Sequence, residues 1–355
     1  MKLRSAIIRF LVWGVLLPLL GSACGSIGPK KITADRLDYS TVLAESWKKQ
    51  MLLNIVKVRY LDLPIFLDVG QLVTGYSMET SVNAGGSVAS GTGVGSLGAS
   101  GRYTDRPTIT YMPMTGDRFL ESFLTPIQPV HVFSLVQSGY AADFILELCL
   151  ESFNGLHNHS TSLSSQHEPD PEFFRVLKLL RELQDQRGFG IRTRETEDGP
   201  AYVIFFRDTN MPEEMQAKSE EIRNLLKIPM DQSEFELIYT PLHGQAGELG
   251  VATRSLWQIL GAMSMGIVIP DSHDERKLTP PMDEIGLKEH ALLHVHSSSD
   301  KPKHSYVTVQ YQDEWFWIAE DDWNSKRTFS SILFLFTLAG NYGSEGLPTI
   351  TIPTF

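Results

Sequence analysis

Residues 72–88 read LVTGYSMETSVNAGGSV, and the period of that stretch decides the fold class. Even positions carry Leu72, Tyr76, Met78, Val82, Ala84 and Val88, with Thr74, Thr80 and Gly86 between them. Odd positions, after Val73 and Gly75, carry Ser77, Glu79, Ser81, Asn83, Gly85 and Ser87. Such alternation predicts a β-strand with one apolar and one polar face. Past the glycine-rich centre the apolar residues move to odd numbers, Leu97, Ala99, Tyr103, Ile109 and Tyr111. Two arms joined at Thr92 and Gly93 then show their apolar residues to one face, with Val88 opposite Leu97, Val82 opposite Tyr103 and Tyr76 opposite Ile109. A two-residue turn ending in glycine is a favoured hairpin connection. A glycine-serine linker has no reason to hold this parity, so residues 72–111 are expected to form a long glycine-rich β-hairpin.

On the N-terminal side, Ser40 or Thr41 caps a predicted helix in which Val42, Trp47, Met51, Leu52, Ile55 and Val58 recur mostly at three and four, ended by Pro64. Residues 40–71 thus hold this helix and the start of the body. Lys48, Lys49, Lys57 and Arg59 read as a solvated face. On the C-terminal side, residues 112–355 mix strands and helices without a regular βαβ series. Helices are expected over 117–124, 129–153, 173–185, 212–226, 253–265 and 329–338, and strands over 202–206, 234–239 and 291–296. A second hairpin joins 305–312 to 314–319 across Gln312 and Asp313. The fold class is therefore α+β, with one projecting hairpin. Tyr111-Met-Pro-Met-Thr-Gly116 and Tyr239-Thr-Pro-Leu-His-Gly244 share a Tyr-x-Pro-apolar-x-Gly pattern. Two similar strand-loop-helix units would explain the pattern, and chance reuse of a strand-ending proline explains it equally well.

The chain opens with Lys2, Arg4 and Arg9, an apolar run from Phe10 to Leu20, and the small residues Gly21-Ser22-Ala23 before Cys24. That order is a signal peptide over 1–23, too short for a permanent transmembrane helix. The segment before Cys24 resembles the lipobox of bacterial lipoproteins, with Leu20 one place further back than usual. The resemblance implies lipidation of Cys24, and Gly25 after it implies the outer membrane. Residues 24–39, with two glycines and Pro29, read as a flexible tether. Cleavage would remove three positive charges and no negative ones, making the net charge of -11 more negative still. Such a chain repels nucleic acid. Its apolar content of 42% against 21% charged supports a packed core. With Cys24 lipidated, Cys149 has no disulfide partner and reads as a buried small hydrophobe.

No nucleophile elbow, zinc-protease helix or phosphate-binding glycine loop is present in the sequence. The strongest metal pattern is His290, His294 and His296, which share one face if 291–296 is a strand, with the last two about 7 Å apart. No motif supplies a carboxylate ligand, so these read as polar strand-face histidines, and no metal or cofactor is expected. His157 and His159 lie in a polar loop over 155–171. Glu320-Asp321-Asp322 reads as a solvated turn, and Trp315, Phe316 and Trp317 alternate between core and surface.

LLNIVKVRYLDLPIFLDV (52–69), RPTITYMPMTGDRFLESFLTPI (106–127), FFRDTNMP (205–212) and WFWIAEDDWNSKRTF (315–329) resemble segments of an uncharacterised group of bacterial lipoproteins. The resemblance implies a lipid-anchored place on the periplasmic face of the outer membrane and brings no catalytic residues. The expectation is a non-enzymatic assembly subunit of the cell envelope. It would meet the membrane through its N-terminal lipid, and use the hairpin for contact with further copies, a protein partner or the bilayer. A ligand-binding module presenting loop 155–171, or a metal-dependent hydrolase built on 290–296, would be the alternatives.

Overall fold

The computed structural model describes residues 29–73, 76–89, 92–105, 108–159, 168–196, 199–207, 211–281 and 291–340. The signal peptide and Cys24 lie outside them. The chain divides into two compact units after Lys49. The described part of the first is helical: α1 spans Pro29–Arg59 and continues into the second unit. The helix therefore starts at Pro29, inside the segment expected to be a flexible tether. Proline is well placed there, because the first helical N–H has no intrahelical partner to lose. Ser40 and Thr41, expected as caps, instead donate their hydroxyls back to the Leu37 carbonyl in mid-helix. Val42 and Trp47 are exposed, so the buried stripe begins only at Met51.

The second unit is α+β. A six-stranded sheet runs in the order β6-β5-β10-β9-β8-β7. Its strands are β5 (Leu150–Phe153), β6 (Leu156–His157), β7 (Phe189–Thr196), β8 (Gly199–Phe206), β9 (Glu234–Ile238) and β10 (Glu248–Thr253). Only β9 and β10 pair in parallel. Around the sheet lie α2 (Asp117–Phe119), continued by a π-helical turn at Leu120–Leu124, then α3 (Pro129–Gln137), α4 (Ala142–Cys149), α5 (Pro171–Asp185) and α6 (Glu213–Leu225). They are followed by α7 (Leu256–Ser264) and α8 (Asp271–Glu275). A three-stranded sheet, β11-β13-β12, uses β11 (His296–Ser298), β12 (Val307–Tyr311) and β13 (Glu314–Ile318), and α9 (Trp323–Gly340) closes the described chain. One continuous core runs from Met51 to Leu335, with Phe123, Phe133, Phe153, Phe173 and Phe329 fully buried.

Local chemistry explains where elements stop. The α4 helix gives way directly to β5, and the chain reverses at Asn154 and Gly155, both with positive φ. The helical runs expected over 129–153 are therefore two helices, and the last four residues are a strand instead. Gln312 and Asp313, with φ of 48° and 69°, form the tight turn of the β12–β13 hairpin at the expected residues. Phe316 is buried while Trp315 and Trp317 are half-buried, as alternation along a strand requires. The Tyr-x-Pro-apolar-x-Gly echo does not mark a repeat. Gly116 leads into α2, whereas Gly244 leads into β10.

Candidate functional site

The hairpin is longer at its base than expected and closes in a different register. β1 (Leu67–Val73) pairs with β4 (Thr108–Pro113), and β2 (Tyr76–Ala89) pairs with β3 (Thr92–Asp105), all antiparallel. Leu72 faces Ile109, Val82 faces Ala99, and Ala89 faces Thr92. Thr92 and Gly93 are therefore strand residues rather than the turn, and the connection falls at residues 90 and 91, outside the described residues. The correction has a simple cause. Alternation repeats every two residues, so sliding the arms by an even number of positions keeps every apolar residue on its face.

Two amides on α1 anchor the base. Asn54, almost fully buried, donates to the Ile65 carbonyl at 2.8 Å and accepts from the Ile65 N–H at 3.1 Å. Four residues earlier, Gln50 repeats the pattern on Leu67 with contacts of 3.2 and 2.9 Å. The spacing of four puts both amides on one helix face, where they pair with the extended chain as a neighbouring strand would. The Met114 N–H bonds the Phe66 carbonyl from the other side, and Phe66 packs on Phe123 with ring centroids 4.4 Å apart. Pro64 and Phe66 are buried, so the alternate residues point out: Leu63 is 74% exposed, Ile65 52% and Leu67 39%. Every residue of β4 is exposed, including Ile109, Tyr111 and Met112, and Leu120 and Leu124 add to the exposed apolar surface near this base. Scattered apolar residues on a surface are ordinary, but a run of this kind marks a contact site. Among the described residues neither strand of either pair has a third partner, and β2 and β3 make no substantial contact with any other element. Both edges are open to strand addition. Ser81 and Ser100 join their hydroxyls across the ladder at 2.7 Å.

The histidine pattern does not assemble. His290 lies outside the described residues, and residues 291–295 are not a sheet strand. Their backbone is tied elsewhere: the Val295 N–H bonds Gly266, and the Val268 N–H bonds Val295. His294 and His296 are exposed; the His294 backbone N–H donates to Ser325 Oγ, and the His296 ring stacks on Trp317. Among the described residues no three His, Cys, Asp or Glu side chains lie close enough to hold a metal. Asp322 of the acidic turn accepts the Ser325 N–H at the start of α9.

Two buried polar clusters carried no sequence signal. In the first, Tyr60 O–H and His273 Nδ1 are 2.6 Å apart and His273 Nε2 is 3.1 Å from the Gln312 carbonyl. That carbonyl can only accept, so in the neutral ring Nε2 carries the proton and Nδ1 accepts from tyrosine. Both ring nitrogens are engaged, which leaves none to move a substrate proton. Burial pushes the Tyr60 hydroxyl up to about 12. Neighbouring Arg59 is buried and donates to the Pro280 carbonyl at 3.1 Å, so it does not belong to a solvated basic face. In the second cluster, Arg254 lies fully inside the body beside Cys149 and Glu147. Burial raises the Cys149 thiol to about 12, which makes it inert.

Burial likewise pushes Glu147 up to about 7, against the downward pull of Arg254. The folded chain thus holds this proton more tightly than the unfolded chain, whose glutamate titrates near 4.3. The contribution of Glu147 to stability therefore falls as pH rises from about 4.5 to 7 and stays lowered above that window. Glu147→Gln is expected to remove this slope and raise stability at pH 8 by roughly 3–4 kcal/mol. Urea midpoints of both proteins between pH 5 and 8 test this; parallel curves would refute it.

Among the described residues no helix is long and apolar enough to cross a membrane. No known protein family, curated protein or solved structure matches the chain.

Proposed function

We propose that this chain is a non-enzymatic, lipid-anchored assembly subunit of the bacterial outer membrane, carried on Cys24, and that the hairpin from Leu67 to Pro113 is its contact element. The observation that supports this most is a strand pair with two open edges, rising from an exposed apolar base. Open edges are normally covered, shortened or charged, and an ordered long pair left open is fitted for strand addition. The amide anchors on α1 serve the same end, because they hold the base in place while its apolar residues face outward. The native mass of the detergent-extracted protein is the test. The intact chain should run as a discrete assembly, and deletion of residues 84–100 should reduce it to a monomer. Equal masses for both proteins would remove the assembly role from the hairpin.

A further inference from the structure

We infer that β2 and β3 form a membrane-spanning hairpin, and that copies of this chain pair edge to edge through it to close a β-barrel with a polar lumen that passes small hydrophilic solutes. The inference rests on the assembly role proposed above and names the partner as a second copy in lipid.

Length is the first argument. Each arm has 14 residues, while a tilted transmembrane strand needs about 9–11. From the Met78–Tyr103 pair to the Ala89–Thr92 pair the ladder is unbroken. The second argument is the division of faces. Parity and register place Met78, Val82, Ala84, Val88, Leu97 and Ala99 on one face, with glycine and Thr80 between them and Tyr76, Tyr103 and Asp105 at its body end, where the headgroup level accepts a charge. The other face holds Glu79, Ser81, Asn83, Ser96, Ser100 and Arg102, with Val94 near the tip as its one large apolar position. Spanning strands of barrels show this weak dyad pattern, apolar toward lipid and polar toward the lumen. Glu79 and Arg102 are register partners, so the polar face has its charges as an opposed pair. Tyr76 and Tyr103 fall at the body end of the ladder, the level at which barrels carry an aromatic girdle.

The edges identify the partner. In hydrocarbon every backbone N–H and C=O needs a partner, so a lone strand pair cannot enter lipid. The two edges are equally long, and β3 of one copy therefore matches β2 of the next along its whole length. Repeated by rotation, that head-to-tail contact closes into a ring and leaves no edge. Each copy gives two strands, so the smallest barrel of about eight strands takes about four copies, and a water-filled channel of about 16 takes about eight.

The test uses the full-length chain with Cys149→Ser, which leaves no free thiol when Cys24 is acylated. Single cysteines are introduced as Ser81→Cys, Val82→Cys, Asn83→Cys and Ala84→Cys. Each protein is reconstituted into phosphatidylethanolamine–phosphatidylglycerol vesicles and treated with a charged, membrane-impermeant thiol reagent, and the Cys149→Ser parent sets the background. Cysteines at 81 and 83 are expected to react at least tenfold faster than those at 82 and 84, which should be reached by a lipid-phase quencher instead. Equal reaction at all four positions, with the native mass still large, would overturn the lipid barrel and leave the assembly role standing. Protection of all four would overturn the aqueous lumen. A monomeric intact chain would remove both proposals.

Discussion

Arg254→Met is expected to cost the folded body roughly 3–5 kcal/mol, because each buried carbonyl left without its charged donor costs about 1–3 kcal/mol. The guanidinium is 1% exposed. Its Nη1 donates to the carbonyl of Glu147 at 3.1 Å, with Leu148 at 3.4 Å, and its Nη2 donates to the carbonyl of His159 at 2.6 Å. Glu147 and Leu148 belong to the last turn of α4, where carbonyls run out of intrahelical donors and the helix dipole is negative. Asn158 completes the cap by donating to Glu147 and Leu150 at 2.8 and 2.7 Å. Burial lowers the arginine to about 10, which still leaves it charged at neutral pH. Methionine fills much of the volume and supplies no donor. Urea unfolding of the full chain should show the loss, and hydrogen exchange at Asn158 and His159 should quicken. A loss under 1 kcal/mol would mean that the guanidinium does not hold this corner.

Gly266→Ala is expected to cost about 3 kcal/mol or more, at the upper end of overpacking effects. A Cβ at this position would sit inside the carbonyl oxygen of Leu293 and 2.8 Å from its carbon, with the Ala291 methyl at 3.5 Å. The obstruction is backbone, so no rotamer change relieves it. The two segments are also stitched together by the bonds between Gly266, Val268 and Val295. Alanine must therefore either push 291–295, whose Leu293 and Val295 are fully buried, out of the core or break those bonds. Proteolysis at residues 291–295 should become faster and the urea midpoint should fall. An unchanged midpoint would show that the 291–295 strap yields without cost.

How much could be read from the chain follows the range of the forces involved. The hairpin, the turn at Gln312 and Asp313, α5 and the alternation of Trp315–Trp317 rest on residues within a few positions of one another, and they were legible. The register of the hairpin was not, because even slips are invisible to parity. Strands β5, β7 and β10 escaped as well. LESF of β5 continues the apolar run of α4 without a break in hydropathy, and only its pairing with β10, about a hundred residues later, makes it a strand. The same distance hides the cap by Arg254 and the Tyr60–His273 pair, whose partners are 213 residues apart. Gln50 and Asn54 had a signal that could have been found: two amides four apart on a helix, next to an extended segment.

The β5–β10 pairing also sets an order of events. Local pairings such as β2–β3 and β12–β13 close loops of a few residues, whereas Val251 meets Phe153 only after the whole stretch between them has been collected. Loop closure over that distance is slow compared with hairpin formation, which takes about 1–10 μs. The chain thus acquires its open-edged ribbon well before its body is finished. An incompletely folded molecule carries a sticky template for mispairing for as long as that closure takes. The glycine and serine content of 84–100 then gains a second meaning, since residues of low β-propensity slow the capture of foreign strands during that interval.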